Sequence, residues 1–144
     1  MATVARSDKA SIDGVTAIKS GNAIPRLPGD PLRAGEDIDA LAPLYIKSSD
    51  GRLYMASGAA ANEAAEVIGV STIAYKQRDP VTVYRENTIA YYSDDFSADG
   101  VQPGDKLFLS GTKGRLDDAA TTGDAVGVAV ALDNHNIIVT RASF

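Results

Sequence analysis

The chain has 144 residues, no cysteine, one histidine and a formal net charge of −5, from 14 basic and 19 acidic groups. That length suits one domain of ordinary size, and the missing cysteines exclude a disulfide framework and thiol chemistry. Residues 1–37 carry five basic and five acidic groups, so the excess negative charge sits on residues 38–144, where it repels phosphate backbones and argues against nucleic-acid binding.

Met1 to Asp8 hold no apolar core of a secretory signal, and no run approaches the ~18 apolar residues of a membrane span. Residues 1–37 contain no Phe, Tyr or Trp. Ser11 to Ser20 suggests a short element built on Ile12, Val15 and Ile18. Pro25, Pro28 and Pro31 then recur every third residue. Proline fixes φ and donates no hydrogen bond, so this run favours an extended polyproline II spacer, with an SH3-type ligand as the weaker reading. The segment has too little apolar surface to offset its ordering entropy, which predicts an extended N-terminal arm over 1–37. Its separate apolar side chains, Val4, Ile12, Val15, Ile18, Ile24, Leu27 and Leu32, are the candidate partner-binding residues.

From Ile38 onward, short apolar runs alternate with turn residues. Leu44-Tyr45-Ile46, Ser48-Ser49-Asp50-Gly51 and Arg52-Leu53-Tyr54-Met55 together read as a β-hairpin. Ala59 to Glu66 predicts one or two helical turns. Strands are expected at 67–70, 80–84, 88–92, 106–109, 125–132 and 136–141. Strands so short and so regularly spaced predict an all-β domain over 38–144, a small β-clip-like barrel or sandwich. Leu44, Ile46, Leu107 and Leu109 should be buried as matching pairs.

The pairs come from an internal echo. Residues 38–53 align without gaps on 101–116, where Leu44, Gly51, Arg52 and Leu53 recur as Leu107, Gly114, Arg115 and Leu116. Gly69-Val70 recurs as Gly127-Val128, and Val83-x-Arg85 as Val139-x-Arg141. The echo predicts two pseudo-repeats, about 38–85 and 101–141, each too small to bury a face alone and packed as one pseudo-symmetric unit.

Candidate chemistry is sparse. His135, in Asp133-Asn134-His135-Asn136, sits where hairpin-turn residues belong and lacks a motif that would supply a nucleophile. Asp94, Asp95 and Asp99 before Gly100 lack EF-hand spacing, and Lys106 stands where a bidentate Glu would be needed. Gly100 and Gly104 form no phosphate loop, and Val101 to Asp105 reads as a tight turn. Asp124 after Gly123 reads as turn punctuation, and the six tyrosines as core and interface packing. With no nucleophile–base pair, metal box or cofactor box, the expectation is a chain without catalytic, metal or cofactor residues, one that is not an enzyme.

The run from Ala34-Gly35-Glu36-Asp37-Ile38 through Leu44 to Ala56 resembles the opening of bacteriophage capsid decoration (cement) proteins. Val67 to Val70, Pro103-Gly104-Asp105-x-Leu107-Phe108-Leu109-Ser110 and Gly123 to Ala129 extend the resemblance across 34–144. It implies a structural virion protein on the outer surface of the head. Such a protein forms a homotrimer, clamps major capsid subunits and reaches a neighbour with its arm. A trimeric β-clip enzyme of the dUTPase-like kind is the alternative, though its Gly-x-Ile-Asp-x-x-Tyr motif does not occur. A lipoyl-type carrier domain, or a tail or fibre module, are further alternatives.

Overall fold

β-branched and aromatic residues, punctuated by Gly, Pro and Asp, give short strands throughout. The computed structural model describes residues 17–20, 23–24, 32–71, 73–92, 95–96 and 100–142, the first two stretches as backbone only. Two short strands lie early in the chain, β1 (Ala17–Ser20) and β2 (Ala23–Ile24). Then come β3 (Pro43–Ile46), β4 (Leu53–Met55), β5 (Gly69–Ser71) and β6 (Val83–Tyr84). The rest are β7 (Ile89–Tyr91), β8 (Lys106–Leu109), β9 (Leu116–Asp117), β10 (Ala129–Ala131) and β11 (Asn136–Val139). A 3-10 turn spans Glu63–Ala65, where the Asn62 side chain accepts from the Ala64 amide. The protein is all-β.

The strands form two antiparallel sheets, ordered β2-β6-β5-β3-β4 and β1-β7-β11-β10-β8-β9. Set β1 aside, and both sheets have the same plan. Each takes five consecutive strands in the order first, fifth, fourth, second, third. The chain is thus two copies of one five-stranded unit, β2–β6 and β7–β11, and β1 is an extra strand on β7.

Strand pairing refines the sequence echo. Ile46 faces Leu53 in the first hairpin and Leu109 faces Leu116 in the second, so the gapless alignment holds there. Gly51 (φ 68°) and Gly114 (φ 77°) occupy equivalent turns, where a side chain would be strained. Farther on the alignment slips by two residues. Gly69 faces Leu44, but Ala129 faces Leu107, so Ala129-Val130 and not Gly127-Val128 replaces Gly69-Val70. Val83 faces Ser71 while Ile137 faces Ala131, so Ile137 and not Val139 corresponds to Val83.

Each unit has its own core. In the first, Leu44, Leu53, Ile68, Val81 and Val83 pack with Ala34 and Ile38. In the second, Leu107, Leu109, Leu116 and Ile137 pack with Phe96 and Val101, and Leu41, Ala56 and Val67 of the first unit join them. Leu44, Leu107 and Leu109 are fully buried, but Ile46 is 38% exposed, which corrects the expectation of two buried pairs. The cause is where the hairpins lie. The β8–β9 hairpin rests on the first unit through Gly58 N to Ser110 O and Gly114 N to Ala56 O, both 2.8 Å. The β3–β4 tip, residues 48–51, stands in solvent.

Residues before 38 take part in the sheets. Ala34 is buried and its amide donates to Asp79 O, while Leu53 N donates to Arg33 O. Leu32 packs against the first core. β2 pairs with β6, placing Ile24 opposite Val83, and β1 places Ile18 opposite Ala90.

Candidate functional site

The polar residues that the sequence singles out hold loops. Asp124 is 1% exposed, although the sequence marks it only as turn punctuation. Its Oδ2 accepts from Leu109 N at 2.9 Å. Its Oδ1 accepts from Val126 N at 3.2 Å and Gly127 N at 2.9 Å, and pairs with Arg141 Nη2 at 2.9 Å. Arg141 also donates to Gly127 O. The carboxylate therefore ties β8 to the loop that leads into β10. The Gly-Asp pair before an apolar run was the only sequence signal for this staple.

His135 lies in the β10–β11 connection, with Nδ1 2.9 Å from Tyr92 O and its ring stacked on Tyr91 at 5.3 Å. Asp133 accepts from the amides of His135 and Asn136 and from the Asn136 side chain. These donors, the His135 amide foremost, hold its carboxyl below the ordinary aspartate pKa. Asp105 accepts from Gln102 N at 2.8 Å and closes the turn into β8. Asp94 and Asp99 lie outside the described residues, as do Val4, Ile12, Val15 and Leu27. No group of three His, Asp or Glu suited to a metal ion occurs among the described residues.

Three further polar places stand out. Asp37, Asp39 and Asp79 line a crevice of about 200 Å³ with Lys76. Its acids are engaged, Asp37 by Gln77 N and Asp79 by Lys76 N, both at 2.9 Å. At the β3–β4 tip, the Tyr54 hydroxyl donates to Asp50 at 2.5 Å, which lowers the Asp50 pKa and raises that of Tyr54. Lys47 lies over the Tyr54 ring. Asp117 is buried, and its Oδ1 has no hydrogen-bond partner.

The most distinctive surface emerges when the equivalent faces of the two units are compared. Residues directly opposite in an antiparallel pair share a face. Pro43 faces Val70, and two residues along β3 lies Tyr45. These three form one face of the first sheet, and that face is covered. Pro43, Val67 and Val70 meet Leu116, Val128 and Ile137 of the second unit across a gap of only about 10 Å³. Tyr45 packs against the second core, and burial there raises its hydroxyl pKa.

The equivalent face of the second sheet is Lys106, Phe108 and Val130, because Lys106 faces Val130 and Val130 faces Ile138. It is open. Lys106, Val126, Gly127, Val130 and Thr140 line a shallow depression of about 390 Å³, and Val126 is 67% exposed. Phe108, Val130, Ile138 and Ile89 are each partly exposed. Sequence reading missed this surface because strand alternation does not say which face another unit covers. No protein-family model matches the chain, and no curated protein matches it.

Proposed function

We propose that the protein is a structural virion subunit without catalytic activity, one that binds the outer surface of a phage head as a homotrimer and stabilises contacts between major capsid subunits. The structural observation behind this reading is the apolar face of Phe108, Val126, Val130 and Ile138, left open on a chain whose Asp124, Asp105 and His135 hold loops. Contiguous exposed apolar surface of this kind marks protein contact sites. The resemblance of residues 34–144 to capsid decoration proteins supplies the particular partner. In this reading Val4, Ile12, Val15 and Leu27 anchor the arm on a neighbouring subunit, and many weak contacts on one shell add by multivalency.

The test uses heads from the phage that encodes the chain, stripped of this subunit by mild denaturant. Adding back the purified protein should coat the heads evenly, as seen by immunogold labelling, and raise their melting temperature. A chain lacking residues 2–16 keeps β1 to β11 and should coat the heads more weakly. Labelling confined to tails, or heads whose melting is unchanged, refutes the reading.

A further inference from the structure

The outer face of the second sheet is wider than the depression at Lys106. Ile89 faces Ile138, Ile138 faces Val130 and Val130 faces Lys106, so one row crosses four strands. Leu132 lies two residues beyond Val130, and its amide donates to Asn136 O at 2.8 Å, so it extends the same face. Val126, 67% exposed, and Leu132, 44% exposed, are the two most open large apolar side chains among the described residues. Apolar side chains gathered on one sheet face mark a surface that another segment covers.

The chain itself supplies a segment that starts on this sheet. β1 is the strand beside β7, and its first residue, Ala17, pairs with Tyr91. Neighbouring strands lie ~4.8 Å apart, so β10 and β8 are about 14 and 19 Å from β1. Sixteen residues precede Ala17, and they reach about 50 Å when extended. Tyr91 in turn pairs with Asn136, so β1 enters the sheet at its Leu132 end. To lie over the face, the preceding chain has to reverse there, and Asp13-Gly14 is turn chemistry in the required place. Beyond that turn, Ile12 and Val4 are eight residues apart, about 26 Å when extended. Leu132 and Val126 are no more than about 20 Å apart along the chain, so the two anchors span the face. The side-chain charges of residues 1–16 balance, Arg6 and Lys9 against Asp8 and Asp13, and Asp8 lies midway between the anchors as the acid for Lys106.

We infer that in the free chain residues 2–16 fold back over the outer face of the second sheet, seating Val4 and Ile12 on Val126, Val130 and Leu132. The occupant is the chain's own segment and not that of a second copy, for a reason of concentration. A short tether holds the segment at an effective ~mM, while a purified protein offers other copies at ~μM, an advantage of about a thousandfold. Burying Val4 and Ile12 against the exposed Val126 and Leu132 removes apolar surface from both sides at once. The free chain thus keeps its contact face occupied until a neighbour competes for it. In the proposed role the same anchors pass to a neighbouring subunit once copies crowd on a head, and the uncovered face becomes the contact. The inference concerns the free chain and does not rest on head binding.

The experiment uses the purified full chain without heads, so its result is independent of head labelling. The chain has no cysteine, so Ala5→Cys carries a single nitroxide spin label beside Val4. Isotope-labelled chain bearing the nitroxide is diluted into excess plain wild type, and its amide signals are compared with the nitroxide active and reduced. Circular dichroism confirms folding. The amides of Val126, Val130 and Leu132 should lose most of their intensity, and that of Gln77, bonded to Asp37 beside the first core, should keep it. Adding Val130→Lys should restore most of the intensity at Val126 and Leu132, whereas Ile73→Lys, at an exposed apolar residue elsewhere, should not. In a second sample the nitroxide and the isotope sit on different chains, and the loss at the face should be smaller. A face that keeps its intensity, a loss that survives Val130→Lys, or an equal or greater loss in the second sample overturns the inference, the last by assigning the face to another copy. If the protein coats heads and yet fails this test, the inference falls and the head-binding role stands. If it passes this test and heads remain bare, the reverse holds.

Discussion

Replacing Asp124 by alanine removes the acceptor for four donors at once. Two of them, the amides of Leu109 and Gly127, are buried, and a third, Val126 N, is partly so. Leaving a buried donor unpaired costs about 1–3 kcal/mol, and such losses within one cluster do not add fully. The expected destabilisation is about 3–5 kcal/mol, a large part of the ~5–15 kcal/mol typical of a folded domain. Asp124→Asn should cost less, about 1–3 kcal/mol, because one oxygen keeps its donors while the new amide confronts Leu109 N–H. Arg141→Ala should cost least, about 1–2 kcal/mol, since its side chain is one-third exposed and the carboxylate retains three amide donors. Urea unfolding followed by circular dichroism and tyrosine fluorescence gives all three values. Asp124→Ala within about 0.5 kcal/mol of wild type would refute the staple, because changes that small belong to unconstrained surface sites.

Leu44→Ala and Leu107→Ala should each cost about 2–5 kcal/mol in the same urea assay, and Ile46→Ala under about 1 kcal/mol in the monomer, because only the first two leave a buried cavity. Gly123→Ala should be costly, by about 1–3 kcal/mol, because its Cβ would lie 2.4 Å from Ala60 O, whereas Gly111→Ala meets nothing within 4 Å and should be near neutral. The Asp133 carboxyl has its pKa lowered on folding, so its contribution is complete above the ordinary aspartate pKa of about 4 and is lost as pH falls through the depressed folded value. Acid titration of stability should therefore show a shallower loss below pH ~4 in Asp133→Ser than in wild type, and an identical acid limb would refute that role.

Alternation of apolar and turn residues was enough to read the all-β class, the strand at 106–109 and the Asp50-Gly51 hairpin, because both are local. Leu44, Gly51, Arg52 and Leu53 also carried the duplication in their own spelling, since each hairpin turn demands glycine and each inward position a branched apolar side chain. Only the folded chain could correct the rest. Strand pairing shifted the later equivalences by two residues, because register is set by the partner strand and a loop of different length moves the letters without moving the ladder. The aromatic-free segment at 17–24 gave little periodicity to read, yet its backbone completes both sheets, since an edge strand needs hydrogen bonds more than apolar side chains. The Gly-Asp pair gave no measure of how deeply Asp124 is buried, because two of its four donors, Leu109 and Arg141, reach it only through folding. The contrast between a covered Pro43–Val70 face and an open Lys106–Val130 face was likewise decided by how one unit lies on the other, and two strands of the same pattern cannot encode that difference locally.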